Sequence, residues 1–452
     1  MSLAGKRIRR AGSCLCLILA MIGGGQQRAV QPPAQRAPGK LPKLTSRVIA
    51  ISLGGLGADL ANGDEARLRI PTIRRMRREG AVALGLESVF PSRTGPALAS
   101  FVTSRLPADH GIGADVPFDE KTGAPAASAG AIKGDPIWDH AAREGLTTAA
   151  ISFPLTAGVA GIRFNLPAPE TAEQRQTPSG PGAAPVLPKD RALAALLLRD
   201  AAATDAARAL IEKQAPNLVL LHLRAFAAAQ ERFGLGSPES FAALEQLDAM
   251  IEQVVESTRR AGRDADATFL LFSDAGAAPV DREYRPNAAL MKKGWFKPGA
   301  SWEVAVQAYG GSAAVFVREP TNEKLVREVE EFFGKIHNDP DSPVWRLFPR
   351  REAARLGADP RPVLYLDAAP GFVITDAASG GLFGKPVVRA TSGASPSRTE
   401  MRGALILAGR GVKPGARLDY ARLIDLAPTI ARLLGFEMKT ARGRALTEAL
   451  AP

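Results

Sequence analysis

What most constrains this chain is a set of five short apolar runs that do not alternate. They are RVIAISL (Arg47–Leu53), TTAAISF (Thr147–Phe153), LVLLHL (Leu218–Leu223), ATFLLFS (Ala267–Ser273) and ALILA (Ala404–Ala408). A strand with one wet face alternates apolar and polar residues, whereas a strand buried on both faces reads as a continuous apolar run. Helix-length amphipathic segments lie between or beside them, at Pro136–Glu144, Asp190–Gln214, Pro238–Ala261 and Tyr420–Leu434. This alternation predicts an α/β three-layer sandwich around a mostly parallel central sheet. In such sheets ligands bind beyond the carboxyl ends of the strands. Three runs end there in small or polar residues, in SLGGLGADL, LHLRAF and FSDAGA, and a site is expected at those ends.

Two segments interrupt the pattern. Asn165–Asp190, rich in Pro, Gly and Ala, predicts a long surface loop. The stretch 289–373 carries a strand-like AAVFV (Ala313–Val317), a charged helix (Asn322–Ile336) and PVLYLDAAPGFVIT (Pro362–Thr375), and predicts a small inserted α+β subdomain. Upstream, GKRIRR precedes an apolar run, Ala11–Gly25, of secretory-signal length. Residues 1–25 are therefore expected to be a signal peptide, with an uncleaved membrane anchor as the alternative. Residues 26–45 are expected to be a Pro-rich linker and 46–452 the folded domain. Export to the periplasm or medium follows as an expectation. Both cysteines, Cys14 and Cys16, fall in the leader, so the body has no thiol for a disulfide or a metal.

The chain of 452 residues is 46% hydrophobic and 23% charged, with a net charge of +12. A basic excess suits an anionic small molecule, a glycan or an envelope partner. The one local cluster, Arg67–Glu79, has apolar Ile70, Ile73 and Met76 at helical spacing and reads as a surface helix with a solvated basic face. No nucleic-acid motif accompanies it, so nucleic acid is not expected as a partner.

FPSRTGPALASFVTSRLPADHGI (Phe90–Ile112) reads as a strand end, a tight turn carrying a hydroxyl, then a short helix. Thr94 there is either a helix cap or an anion-binding hydroxyl at a helix start, with Arg93 adding charge. Asp274 reads as a turn residue before Gly276 or as a retained acidic group. The histidines, His110, His140, His222 and His337, are isolated and read as structural.

The order of these landmarks resembles the alkaline phosphatase superfamily, in its type I phosphodiesterase/nucleotide pyrophosphatase branch. VIAISLGGLGADL stands where that family has a strand ending in Asp-Gly-Leu. IPTIRRMRREGA matches its following helix, and VFPSRTGPALASFVTSRLPADHGI its nucleophile motif. GDPIWDHAAREGLTTAAISFP, LLFSDAGA and MRGALILAGRGVKPGARLDYARLIDLAPTIARLLG match the remainder. The resemblance implies two divalent metals that activate a hydroxyl nucleophile and clamp a phosphate. Carried over by position, the nucleophile is Thr94. The Asn that follows it falls at Ala97, and the ligand positions fall at Gly54, Ala227, Glu231, Asp274, Ala275 and Ser392. Only Thr94 and Asp274 keep the family's residue type; Glu231 still offers oxygen. The expectation is an exported pseudoenzyme without a cofactor, two zinc ions least of all. The alternative is a phosphodiester or sulfate-ester hydrolase holding one hard cation (Mg²⁺, Mn²⁺ or Ca²⁺) through oxygen ligands.

Overall fold

The computed structural model describes residues 41–126, 131–167 and 185–452. The expected leader, most of the linker and most of the Asn165–Asp190 loop lie outside these residues. Eight strands form the central sheet: β1 (Arg47–Leu53), β2 (Ala81–Ala83), β3 (Thr148–Ile151), β4 (Phe164–Leu166), β5 (Leu218–Leu223), β6 (Ala267–Phe272), β7 (Leu405–Gly409) and β8 (Arg417–Leu418). Their spatial order is β8-β2-β7-β6-β1-β5-β3-β4. β1 lies in the middle, in parallel register with β5 (Val48 opposite Leu218) and β6 (Val48 opposite Thr268). Only β7 runs against the rest, pairing antiparallel with β6 and β2, so the sheet is mixed.

Why the runs do not alternate is visible in the packing. Val48 and Ala50 of β1, Leu218 and Leu220 of β5, and Leu270 and Phe272 of β6 enter one core. Their neighbours Ile49, Ile51, Val219, Leu221, Phe269 and Leu271 enter a second core on the opposite face. These strands are apolar at nearly every position because each face is covered; the buried polar exceptions are Ser52, His222 and Thr268. The helices are α1 (Pro71–Glu79), α2 (Thr94–Thr103), α3 (Ile137–Arg143), α4 (Arg191–Lys213), α5 (Ala225–Phe233), α6 (Pro238–Arg260) and α7 (Leu426–Leu434). α2, α3 and α7 cover the first face; α1, α4, α5 and α6 cover the second.

The basic segment is α1. Ile70, Ile73 and Met76 are buried, while Arg75 and Arg77 pair with Glu252 and Asp64. The segment expected to be helical from Tyr420 begins instead as a short strand, Ala421–Arg422, and a 3-10 turn, Leu423–Asp425. α7 starts only at Leu426. Asp425 explains the delay: its carboxylate accepts the N–H groups of Arg422 and Arg444, which ties down the turn before the helix.

Residues 304–368 contain a separate antiparallel sheet, ordered Val304–Ala308, Ser312–Val317, Leu364–Ala368, Val344–Pro349. The helix Glu323–His337 packs on it through Val329 and Phe333. Phe90, just upstream of α2, lies 5.2 Å from Phe348 and 5.1 Å from Tyr365, ring centre to ring centre, so the second sheet buttresses the turn that presents Thr94. Among the described residues no helix is long and apolar enough to cross a membrane.

Candidate functional site

The carboxyl ends of β1, β5 and β6 open into one cavity of about 470 Å³. Gly54 directly follows β1, Arg224 follows β5, and Asp274 lies two residues beyond β6. The cavity is lined by Gly54, Arg93, Thr94, Ala227, Glu231, Asp274, Ala275 and Ser392, whereas Ala97, where the resemblance put a phosphate-contacting Asn, is buried in the core instead. Ala227 and Glu231 are one turn apart on α5 and so share its inner face.

Thr94 is not the cap of its helix. Arg93 holds the cap position, with φ −116° and no side-chain cap bond, and Thr94 is the first residue of α2. Its hydroxyl donates instead to Asp274 Oδ2 at 2.6 Å. Asp274 is buried and uses its other oxygen on its own turn, where Oδ1 accepts the Ala275 N–H at 3.0 Å. The Asp274 carbonyl accepts the Ser88 hydroxyl at 2.6 Å. Asp274 is thus both a turn residue and the partner of Thr94.

Sequence reasoning missed Asp115, His222 and Gln230 as parts of the site, and Arg224 except as the end of LHLRAF. Asp115 accepts from Arg93 Nε at 2.9 Å and from the Gly95 N–H at 2.6 Å. The opposite side of the Arg93 guanidinium meets Ser392 Oγ at 3.3 Å and Glu231 at 4.0 Å. Burial works against the Arg93 charge, but Asp115 and Glu231 outweigh it and hold its pKa above the ordinary value. Glu231 shifts the other way: burial raises its pKa, and Arg93 and Arg224 offset only part of that. Burial pushes the His222 imidazole down to about 4, against an opposing pull from Asp274. His222 is therefore neutral at pH 7, with Nδ1 bonded to Ser52 Oγ at 3.1 Å. Ser52 is its direct neighbour across β1 and β5, so the contact follows from strand register, a signal absent from local sequence.

Gly54, Ala227 and Ala275 bring no side-chain donor, and Ser392 brings a hydroxyl already facing Arg93. A Cβ at Gly54 would stand 3.4 Å from Ala227 Cβ and 3.8 Å from Asp274 Oδ1, so Gly54 faces both. Among the described residues no three His, Cys, Asp or Glu side chains converge as a metal-binding group. The donors present do not fit a pair of divalent cations, which ask for several carboxylates or imidazoles each.

A three-layer sheet with a hydroxyl at the start of a buried helix, facing an aspartate beyond a central strand, defines an alkaline phosphatase-like protein. The model of the type I phosphodiesterase / nucleotide pyrophosphatase family matches residues 48–394, and the chain belongs to that family. It is similar to an uncharacterized pyrophosphatase/phosphodiesterase of Schizosaccharomyces pombe, 28% identical over 274 residues, 55% of this chain. The chain spans about half the length of that relative (50%). Among solved structures it is similar to murine ectonucleotide pyrophosphatase / phosphodiesterase 5, in an inactive form in complex with AMP (TM-score 0.66, 15% identity, 90% of this chain and 100% of that one). The human counterpart aligns with TM-score 0.65 at 16% identity, over 90% of this chain and 100% of its own. At that identity the likeness is one of fold.

Proposed function

We propose that this chain is a catalytically silent member of its family that uses the Thr94 cavity to bind a phosphate-bearing ligand without metal. One observation carries the reading. Gly54, Ala227, Ala275 and Ser392 converge on the Thr94–Asp274 pair and supply neither carboxylate nor imidazole. Without paired metals the family's chemistry lacks its main electrostatic clamp on phosphate. What remains for an anion is Arg93, Arg224, the Thr94 hydroxyl and the start of α2. AMP, the ligand named for the murine structure, is a reasonable first probe. The basic N-terminal segment and its apolar run support export, with signal cleavage tested by N-terminal sequencing of the mature protein.

The decisive experiment is metal content by mass spectrometry after dialysis against trace Zn²⁺, Mn²⁺ and Mg²⁺, alongside turnover of bis(4-nitrophenyl) phosphate. The expected result is no stoichiometric metal and no turnover above that of Thr94→Ala. Two bound metals with Thr94-dependent turnover would overturn the reading.

A second reading is favoured by the 2.6 Å Thr94–Asp274 bond, the spacing of a nucleophile and its base. In it, Thr94 Oγ would attack the phosphorus or sulfur of a phosphodiester or sulfate ester, Asp274 Oδ2 would take the hydroxyl proton, and the ester's alcohol oxygen would leave with its bond's electron pair; Glu231 and the other Asp274 oxygen are the groups that would hold one hard cation to screen the charge. It requires metal-dependent turnover that Thr94→Ala abolishes.

A further inference from the structure

Asp115 comes from the loop that follows the His110 turn. Its two carboxylate oxygens receive three donors: the Gly95 N–H at 2.6 Å, Arg93 Nε at 2.9 Å and Arg93 Nη2 at 2.8 Å. A guanidinium fork combined with a backbone N–H is the donor set with which proteins receive a phosphate face. Here an internal carboxylate already fills it. Burial alone would raise the Asp115 pKa, yet Arg93 and the Gly95 N–H outweigh burial and hold it below the usual range, so the internal anion is charged at neutral pH.

The contact is built into the backbone. A Cβ at Gly95 would stand 3.1 Å from both Asp115 Cα and Asp115 Oδ1, so a side chain at residue 95 would push the Asp115 loop back by a few tenths of an ångström. Arg93 is confined on its other side, where a Cβ at Gly393 would come within 3.0 Å of Arg93 Cδ. Around the corner, Gln230 is buried in the cavity wall, and its Oε1, an acceptor, has no hydrogen-bond partner among the described residues. Behind the ion pair lies a second cavity of about 360 Å³ that Arg93 and Asp115 also line. The pair is therefore a partition between two spaces, and a displaced Asp115 side chain has somewhere to go.

We propose that Asp115 is the specificity-determining residue of this cavity: its carboxylate holds the phosphate-receiving corner beside Thr94, and a ligand phosphate enters only by displacing it. The inference rests on the reading that the cavity binds a phosphate-bearing ligand. With Asp115 in place, the Arg93 charge is spent internally, and an incoming anion meets Asp115, Asp274 and Glu231 as well as the two guanidiniums. With that carboxylate neutralised, the fork faces the ligand.

The test is calorimetric titration with inorganic phosphate and with AMP, in EDTA, on the full chain and on Asp115→Asn. The amide keeps an oxygen for the Gly95 N–H and removes the charge. The expected result is binding about tenfold tighter or more in Asp115→Asn, with the gain lost when Arg93→Ala is added. Asp115→Ser, which also removes the charge and keeps an acceptor, replaces it if Asp115→Asn does not fold. Measurable wild-type binding with no gain in the folded variant would overturn this inference alone. No binding in any variant would overturn both it and the reading beneath it.

Discussion

At the residue scale, the bond between Thr94 and Asp274 makes a stability statement independent of any chemistry. Thr94→Ala would leave Asp274 Oδ2 buried and unpaired, at a cost of about 1–3 kcal/mol, read as a lowered urea midpoint. A second prediction uses the space at Gly54. A Cβ there would meet only ordinary van der Waals contacts and would stand 3.8 Å from Asp274 Oδ1. The pair Gly54→Asp and Ala275→His is expected to retain one divalent cation near stoichiometry after dialysis, where the parent retains none. Mass spectrometry decides it, and a metal-free double variant would show that these positions do not share a cation. Sequence order brought Thr94, Asp274, Gly54, Ala227, Glu231, Ala275 and Ser392 together as candidates, and the fold gathers them around one cavity. Asp115 was not legible. It belongs to no motif, and its role comes from a loop folding back onto Gly95, a contact between residues that only the tertiary structure brings together.

At the scale of elements, two buried aspartates hold helices they do not belong to. Asp248 on α6 accepts the N–H groups of Thr72 (3.1 Å) and Ile73 (2.8 Å), in the first turn of α1. Asp200 on α4 accepts those of Arg224 (2.9 Å) and Ala225 (2.8 Å), where α5 begins. Each replaces the capping side chain that Ile70 and Arg224 fail to provide at those helix ends. Asp248→Ala is expected to cost about 2 kcal/mol. Asp200→Ala is expected to cost a similar amount and also to loosen the helix carrying Ala227 and Glu231, seen as faster amide exchange across Ala225–Phe233. The long helices were readable from apolar spacing, to within a residue for Arg191–Lys213 and Pro238–Arg260; α5, nine residues long, was not anticipated. The caps of α1 and α5 were not readable, because a cap supplied from another helix leaves no trace beside the helix it serves. The short strands Ala81–Ala83, Phe164–Leu166 and Arg417–Leu418 were equally silent, being too brief to carry a pattern.

At the scale of the whole molecule, two neutral histidines couple the fold to pH. Burial pushes the His110 imidazole down to about 3 and that of His222 to about 4. The unfolded chain takes up these protons below pH ~6.5 while the folded chain refuses them. Each of these histidines therefore withdraws stability as pH falls below ~6.5, by up to about 1.4 kcal/mol per pH unit. Asp200, lifted by burial to about 7, and Asp367 and Asp376, lifted to about 6, act in the opposite sense over that window. Comparison with His222→Gln isolates one contribution: between pH 7 and pH 5 the parent is expected to lose about 2 kcal/mol relative to that variant in urea unfolding. The architecture was legible from the five apolar runs. The reversal of β7 was not, since an apolar run buried on both faces reads the same in either direction along the strand. The position of β1 in the middle of the sheet bears on how the chain is made. Both of its neighbours lie far downstream, at Leu218–Leu223 and Ala267–Phe272. During synthesis the first strand thus leaves the ribosome with two open edges and waits through more than a third of translation for its first partner, in the slow, non-local regime of folding. A nascent chain halted before residue 218 would hold no part of the central pairing, and its longest apolar strand would be free for whatever chaperone keeps it from its neighbours' fate.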